Sequence, residues 1–295
     1  MLASEQARLI LREAFPDLAI NTVEYLGAGW DSRGLLVNGE TVFRFPMRAD
    51  AGERLLREAR LLGRIGGRLP LQVPIVTDIS KPTASYPFPI VGHRLVPGPA
   101  LDDPTMRAIP DEVVANGLIP FLLALHAVPL DAVHDLGLLS YTPESWRTWH
   151  RELFEQALPV VEERLSRETF DRFRRLWEEH FGDQGCWAFT PGLIHGDLSA
   201  EHIMVEPDPW HVIGVIDFGD ARIGDPVLDY AGLSDQVART IIAAIHDPRD
   251  STVWQRRELY RDAVPLHHID GGLFLGRDDL VDAGLSRIEH RFRAS

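Results

Sequence analysis

The sequence predicts an α+β protein in which a small β-rich N-terminal lobe precedes a larger, mainly helical C-terminal lobe. Residues 20–45 alternate between apolar and polar side chains and are broken by glycines, whereas helical periodicity dominates after about residue 100. We expect the N-terminal lobe to span residues 1–95, a hinge to span 96–100 and the C-terminal lobe to span 101–295. The length of 295 residues also permits a single α+β domain or two unrelated domains. The positions of the motifs must therefore distinguish among these three arrangements.

The N-terminal lobe is predicted from short, regular elements. Residues 1–15 have the pattern of an amphipathic helix, and they lack the basic region and apolar core of a signal peptide. Residues 20–45 predict three strands, with a glycine-rich turn at 27–29 and a hairpin turn at Asn38-Gly39. A helix follows, ended by Gly66-Gly67, and two strands, VPIVTDIS and FPIVGHRLV, flank a proline-rich turn. The predicted buried face of that helix comprises Leu55, Leu56, Ala59, Leu62 and Ile65.

The C-terminal lobe is predicted to be largely helical. Residues 111–127 and 143–181 have helical periodicity, and we expect Leu165, Phe173 and Trp177 to share one stripe. Short β-like pieces follow at LIHGDL, HIMVEP and HVIGVIDF, and the C-terminal tail predicts further helices.

Composition excludes several classes of function. A single cysteine, Cys186, excludes an intramolecular disulfide framework and is typical of a reducing cytoplasm. The apolar runs are too short to span a bilayer, so we expect no membrane partner. The net charge of −14 argues against a nucleic-acid partner and suits a cationic substrate. Lys81, in a turn, is the single lysine of the chain.

Two features of the N-terminal lobe are suited to phosphate binding. Gly27 and Gly29 can form a tight turn that exposes backbone N–H groups to phosphate oxygens, although such hairpins are also common without a ligand. Arg44 lies in a strand between two phenylalanines, and Glu58, in the following helix, is its expected partner. The pair predicts a cation aimed at nucleotide phosphates, and the alternative is a surface arginine on an edge strand.

The loop HGDLSAEH and the segment VIDFGD carry the strongest signal for catalysis. Asp197 follows a buried strand and can accept a proton from an attacking hydroxyl, and His202 can point back as a metal or phosphate ligand. Asp217 ends an apolar strand, where a carboxylate is costly unless it is paired or binds a cation such as Mg²⁺. Asp225, before Pro226, is expected to cap a helix and therefore to be structural.

These motifs carry a resemblance to a known family. LIHGDLSAEHIMV, followed by GVIDFGDARIGDPVLDYA, resembles the aminoglycoside phosphotransferases, which have a protein-kinase-like, bilobal fold. VFRFP, LPLQVPIV and VPGPAL look most like the 2″-phosphotransferase branch, and the resemblance extends from about residue 20 to residue 235.

The resemblance implies transfer of the γ-phosphoryl group of ATP or GTP to a hydroxyl of an aminoglycoside-type antibiotic. Asp197 would be the catalytic base, His202 and Asp217 would hold Mg²⁺, and His195 would support the loop. The kinase fold that the resemblance implies normally has lysine at the position of Arg44, and arginine is longer, planar and permanently charged. The nucleotide-binding residues implied are Gly27, Gly29, Ser32, Arg44, Glu58, Arg94 and Val96, the last two through a backbone that hydrogen-bonds the purine.

Other functions remain open from the sequence. A related kinase could act on a macrolide, a hygromycin-like compound, or a metabolite such as choline or homoserine. Arg44 alternatively suggests a nucleotide-binding pseudokinase, and His195, Asp197 and His202 could instead form a metallohydrolase site. The candidate acceptor-binding acids in the helical lobe are Asp235, Glu258, Asp262 and Asp270.

Overall fold

The structure is a computed structural model, and it describes residues 4–293. Residues 1–3 of the predicted N-terminal helix therefore lie outside the described part of the chain. In the described part, the helices are α1 (Ser4–Ala14), α2 (Ala49–Ile65), α3 (Asp111–His126), α4 (Pro143–Arg164), α5 (Arg167–Gly182), α6 (Asp235–Ile245), α7 (Thr252–Leu275) and α8 (Asp278–Arg293). The strands there are β1 (Val23–Ala28), β2 (Ser32–Val37), β3 (Thr41–Pro46), β4 (Val76–Ile79), β5 (Val91–Arg94), β6 (Gly192–Ile194), β7 (Ile203–Pro207), β8 (Trp210–Val215) and β9 (Arg222–Gly224).

The chain forms two compact units, and each is interrupted once in sequence. The first unit comprises residues up to 139 and residues 195–222, and the second comprises residues 140–194 and 223 onward. No helix among residues 4–293 is long and apolar enough to cross a membrane.

The first unit contains an antiparallel sheet with the strand order β1-β2-β3-β5-β4 in the described residues. The predicted strands and the hairpin turn between β2 and β3 are confirmed. Asn38 and Gly39 have φ angles of 56° and 71°, and the turn is closed by the N–H of Glu40, which donates to the carbonyl of Val37 at 3.1 Å. The Asn38 side chain also accepts from the N–H of Asn21 at 2.8 Å and donates to the carbonyl of Ala19 at 2.7 Å.

Alternation along β3 separates its two faces. Phe43 and Phe45 are fully buried in a cluster with residues of α1 and β2, including Leu11 and Leu35. Since successive side chains of a strand point to opposite faces, Arg44 lies on the other face, where α2 packs. This arrangement brings Arg44 to the helix that carries Glu58.

The remainder of the first unit contains α3 and the β7–β8 hairpin, which pack against each other. The loop that precedes β7 carries Asp197, and the segment that follows β8 carries Asp217. The hairpin therefore brings together two motifs that are 20 residues apart in sequence.

The second unit is mainly helical, with α4 packed on α5 and α7, and α7 packed on α8. The stripe predicted for Leu165, Phe173 and Trp177 is wrong in one member. Helix α4 ends at Arg164, before Leu165, because Ser166 caps a new helix by accepting from the N–H of Thr169, whereas Phe173 and Trp177 are buried on α5 as expected.

Asp225 has the predicted structural role in the second unit. Its side chain accepts from the N–H of Val227 at 3.1 Å at the start of a short 3₁₀ helix. The same buried carboxylate lies 2.8 Å from Nε of Arg256 and accepts from the hydroxyl of Tyr260 at 2.7 Å.

Candidate active site

Arg44 and Glu58 form a buried ion pair in the first unit. Nη1 of Arg44 donates to the two carboxylate oxygens of Glu58 at 3.2 and 2.9 Å, and the two side chains are only 18 and 6% exposed. The pairing predicted from the sequence is therefore confirmed. Burial raises the pKa of Glu58 to about 7, and the adjacent guanidinium acts in the opposite direction.

Arg44 also contacts two further residues of the predicted set. Nη1 donates to Oδ1 of Asp217 at 3.1 Å, and Nε donates to Oγ of Ser32 at 3.2 Å. Burial alone would lower the pKa of the Arg44 guanidinium. The negative charges of Glu58 and Asp217 have the larger combined effect, so the pKa is raised. One planar side chain thus connects β2, α2 and the segment after β8, which a point-like ammonium cannot do with the same geometry.

His195 is held by backbone groups on both ring nitrogens. Nε2 lies 3.0 Å from the carbonyl oxygen of Ile216 and so donates to it, and Nδ1 accepts from the N–H of Asp197 at 3.3 Å. The ring is buried. These contacts fix a neutral tautomer and orient the loop, as expected, and they leave His195 unsuited to a metal.

Asp197 presents its carboxylate at the surface of the loop, with 54% of its side chain exposed. Desolvation raises the pKa of Asp197, and the nearby His202 lowers it. The resulting pKa lies above the usual range for a carboxyl group. A carboxylate with a raised pKa is a better proton acceptor near neutral pH than an ordinary aspartate.

His202 has one ring nitrogen fixed and the other directed at Asp217. Nδ1 lies 2.7 Å from the carbonyl oxygen of Asp197, which can only accept, so Nδ1 carries the proton. In the neutral ring Nε2 then keeps its lone pair, and it lies 3.9 Å from Oδ2 of Asp217. Fixing one nitrogen through a hydrogen bond is how proteins commonly orient a histidine that binds a metal.

Asp217 has a strained backbone at the end of β8. Its φ and ψ angles of 64° and 69° lie in the left-handed region, which is uncommon for residues other than glycine. Burial disfavours its charge, but Arg44, followed by His202, stabilises it, so the pKa of Asp217 lies below its ordinary value. Strain of this kind is concentrated at functional sites, and here it turns the carboxylate towards both His202 and Arg44.

His202 and Asp217 fit a magnesium ion only as a partial ligand set. Among residues 4–293, no group of three or more histidine, cysteine or acidic side chains is arranged to hold a metal. Magnesium ions are often bound through one or two carboxylates, with phosphate and water oxygens as the other ligands. The ionised Asp217 fits that mode and the oriented Nε2 of His202 is a nitrogen beside it, whereas a three-ligand hydrolase site at His195, Asp197 and His202 does not fit.

The glycine-rich turn lies between β1 and β2. Gly27 has a φ of 147°, which strongly favours glycine, and the N–H of Gly29 donates to the carbonyl of Ser32 at 3.0 Å. A Cβ at either glycine would meet no atom within 4 Å among the described residues. The turn is therefore open on its outer side, as a loop that covers phosphates must be.

The predicted purine-binding backbone offers one free donor. The N–H of Arg94 donates to the carbonyl of Ile75 at 2.9 Å, and that of Leu95 donates to the carbonyl of Glu40 at 2.8 Å. The N–H of Val96 makes no such bond with the described residues. Within this segment, Val96 is the residue whose backbone can donate to a base.

Several residues near these groups were not predicted from the sequence. Gly196 has a φ of 84°, and a Cβ there would overlap the carbonyl oxygen of Asp220, so the HGD loop requires glycine. Arg54, one turn before Glu58, lies 3.0 Å from Asp31 in the glycine-rich turn and 3.6 Å from Asp220. The spacing of four residues from Glu58 on α2 was the available signal for Arg54.

The acidic acceptor candidates in the second unit are mostly occupied. Asp235 lies 3.0 Å from Arg257, Glu258 lies 2.9 Å from the same arginine, and Asp262 lies 3.1 Å from His180. Burial raises the pKa of Asp270. Three of the four acids therefore pair with neighbouring basic side chains.

Comparison with known proteins gives a consistent result. Residues 22–260 match the phosphotransferase enzyme family. The uncharacterized protein YcbJ of Bacillus subtilis (strain 168) is 25% identical over 193 residues, which cover 64% of this chain and 60% of that relative, less than two thirds of its length.

Solved structures match over nearly the whole chain. The GDP and kanamycin complex of APH(2″)-IIIa has a TM-score of 0.88 at 27% identity and covers 96% of this chain and 97% of that one. A macrolide 2′-phosphotransferase type I, at 22% identity, has a TM-score of 0.75 over 98% of each chain and supports the fold alone. The predicted fold class and the resemblance to aminoglycoside phosphotransferases are confirmed, and the chain belongs to the phosphotransferase enzyme family.

Proposed function

We propose that this enzyme transfers the γ-phosphoryl group of ATP or GTP to a hydroxyl of a cationic, aminoglycoside-type acceptor. The observation that carries the proposal is the arrangement of Arg44, Asp197, His202 and Asp217 within one compact unit. The similar structure of APH(2″)-IIIa contains GDP and kanamycin, which supports a nucleotide and an amino sugar as the two substrates.

Arg44 would supply a fixed positive charge to the nucleotide phosphates. Its pairing with Glu58 keeps the guanidinium ionised and in one orientation, so no reorganisation is needed when charge develops on the phosphoryl oxygens. The open turn at Gly27 and Gly29 would cover the phosphates, and the N–H of Val96 would donate to the base.

Asp197 would orient the acceptor hydroxyl and take its proton. Its exposed carboxylate and raised pKa suit that role. Mg²⁺, bound by Nε2 of His202 and the carboxylate of Asp217, would neutralise charge on the nucleotide phosphates when present. His195 would keep the loop in the orientation that the reaction needs.

The proposal also assigns roles to the parts of the chain and a location in the cell. Residues 1–95 would bind the nucleotide, residues 96–100 would be the hinge, and residues 101–295 would carry the catalytic loop and the acceptor site. We also infer a cytoplasmic location, because Cys186 is buried and no second cysteine exists for a disulfide bond.

The test is phosphorylation of an acceptor panel with ATP and with GTP. The panel includes kanamycin, a macrolide and choline, and the variant is Asp197→Asn. We expect wild-type turnover with the amino sugars and a rate lower by about 10²- to 10⁴-fold in the variant, the range for loss of a general base. Asp102→Asn is the matched control, because Asp102 is exposed and makes no ion pair with the described residues.

The panel also distinguishes the other candidates. Turnover restricted to the macrolide would assign the enzyme to that acceptor class. A pseudokinase, for which the arginine at position 44 is the supporting observation, would be stabilised thermally by nucleotide without yielding any phosphorylated product. An unchanged rate in Asp197→Asn would contradict the mechanism for every acceptor.

A further inference from the structure

Two arginines connect the glycine-rich turn to the segment that follows β8. Arg44 is the first, through its hydrogen bonds to both sides. The second is Arg54 on α2, whose Nη1 lies 3.0 Å from Asp31 at the end of the turn and 3.6 Å from Asp220 after β8. All these residues belong to the first unit. The proposed chemistry gives Arg44 a role and leaves Arg54 without one.

Asp31 fixes one end of the glycine-rich turn to the start of α2. Its carbonyl accepts from the N–H of Met47 at 2.8 Å, and its carboxylate accepts from Nη2 of Arg48 at 2.7 Å. Nη1 of Arg48 also donates to the carbonyl of Trp30 at 3.0 Å. The open part of the turn is therefore short, at residues 27–29, and its position follows that of Asp31.

Asp220 is likewise fixed within its own segment. Nε of Arg222 donates to the carbonyl of Asp220 at 2.8 Å, and Nη2 donates to its carboxylate at 3.2 Å. A Cβ at Gly219 would lie 3.9 Å from Cδ of Arg54 and 3.3 Å from Oδ1 of Asp217. Arg54 therefore packs beside the short segment that joins Asp217 to Asp220.

Charge compensation alone does not explain Arg54. Asp31 is already paired with Arg48, and Asp220 is already paired with Arg222. Arg54 makes no hydrogen bond with the described residues, so its two contacts are electrostatic and impose no fixed geometry. Its side chain is 38% exposed. Ion pairs of this kind are weak, and they can open and re-form as a turn that admits and releases a ligand requires.

We propose that Arg54 is a latch that holds the glycine-rich turn closed over the nucleotide phosphates. By attracting both Asp31 and Asp220, it keeps the backbone N–H groups of the turn within reach of phosphate oxygens. Arg54 is a positioning residue, because it acts through the turn and not on a substrate. The inference rests on the proposed function, since it requires a nucleotide to bind beneath the turn.

Calorimetric titration of Arg54→Met with AMP-PNP and with GMP-PNP, each with Mg²⁺, tests the latch. We expect Kd for the tighter analogue to rise about threefold to fivefold, the upper part of the range for an exposed ion pair. Kd for the matching nucleoside, adenosine or guanosine, should not change, because a nucleoside has no phosphates for the turn to cover. In turnover, the nucleotide KM should rise to the same extent with kcat unchanged, because saturating nucleotide restores the closed turn.

Arg60→Met is the matched control. Arg60 is exposed on the same helix and forms no ion pair with the described residues, so its replacement removes the same charge from α2. Equal analogue Kd values in the two variants would overturn the inference. A nucleoside Kd that rises as much as the analogue Kd would also overturn it, because that result indicates a general disturbance of the site. Both carboxylates keep a second arginine in Arg54→Met, so we expect the variant to fold.

The Asp31→Asn background distinguishes positioning from direct contact with a phosphate. If Arg54 acts through the turn, Arg54→Met should change the analogue Kd less than about twofold once position 31 carries no charge. A change of equal size in both backgrounds would mean that Arg54 contacts the phosphates itself, and it would overturn the latch.

The same measurements separate failure of the latch from failure of the proposed function. Weaker analogue binding by Arg54→Met, with no acceptor phosphorylated by the wild type, supports the latch and contradicts the proposed function. Acceptor phosphorylation by the wild type, with equal analogue Kd values in Arg54→Met and Arg60→Met, overturns the latch alone. A wild type that neither binds an analogue nor uses either nucleotide overturns both.

Discussion

Replacing Arg44 tests whether the buried ion pair explains the arginine at this position. Arg44→Met removes the charge and leaves Glu58, only 6% exposed, without its cation. Loss of one partner of a buried pair costs about 3–5 kcal/mol, a large part of the roughly 5–15 kcal/mol that stabilises a folded protein. Arg44→Lys keeps a charge and loses the bond to Ser32, so we expect a cost of about 1 kcal/mol.

The double variant Arg44→Met/Glu58→Gln isolates the interaction. With both charges removed, the cost of an unpaired buried carboxylate is absent, so we expect the double variant to be more stable than Arg44→Met. A coupling free energy of about 2 kcal/mol or more is expected from urea unfolding followed by tryptophan fluorescence. A cost below about 1 kcal/mol for Arg44→Met would refute the view that Arg44 compensates the charge of Glu58.

The pH dependence of the same variants provides an independent check. In Arg44→Met, burial raises the pKa of Glu58 without an opposing cation, so the pKa in the folded state lies above that in the unfolded state. Such a carboxyl group binds its proton preferentially in the folded state, and the free energy of unfolding therefore rises as the pH falls. Because the pKa of Glu58 in the wild type is itself about 7, we expect the deficit of Arg44→Met to shrink as the pH falls from about 9 to about 7, to level off below that, and to lose this trend in Arg44→Met/Glu58→Gln.

Four further substitutions have expected outcomes. Gly98→Ala should destabilise the protein by more than about 2 kcal/mol in urea unfolding, since φ is 89° and a Cβ would overlap a backbone oxygen, whereas Gly63→Ala, in open space on α2, should stabilise it by about 0.5–1 kcal/mol. Asp225→Ala should cost about 3–5 kcal/mol in the same assay, because Arg256, only 6% exposed, would lose its carboxylate; a loss under about 1 kcal/mol would contradict this. His202→Ala should raise the Mg²⁺ concentration for half-maximal turnover about tenfold or more without a comparable loss of thermal stability, and an unchanged magnesium requirement would contradict its role as a ligand.

Local signals were sufficient to predict much of the first unit. Asn38-Gly39 specifies a hairpin turn through backbone preference alone, and the apolar face of α2 is a periodic pattern, so neither depends on the remainder of the fold. The pairing of Arg44 with Glu58 could also be predicted, because a cation between two buried phenylalanines on a strand must point towards whatever covers the opposite face.

Other features depend on contacts that a single sequence does not specify. Gly196 is required because the carbonyl of Asp220 approaches it, and that approach depends on how the β7–β8 hairpin returns the chain. Similarly, the break at Leu165 depends on a cap at Ser166 that competes with continuous helical periodicity. Arg54 could not be assigned to Asp31 and Asp220 before the positions of the turn and of α2 were known.

The arginine at position 44 forms hydrogen bonds beyond its ion pair with Glu58. Three acceptors surround the guanidinium, and the shape of the group lets Nε bond Ser32 while Nη1 bonds Glu58 and Asp217. An ammonium on a shorter side chain could compensate the charge of Glu58 but could not keep the same fork-like geometry. Arg44 therefore couples the position of the glycine-rich turn, through Ser32, to the orientation of Asp217. This coupling explains how a permanently charged arginine can fill the role expected of a lysine in a kinase-like fold, because the proposed role requires fixed charge and orientation rather than proton transfer.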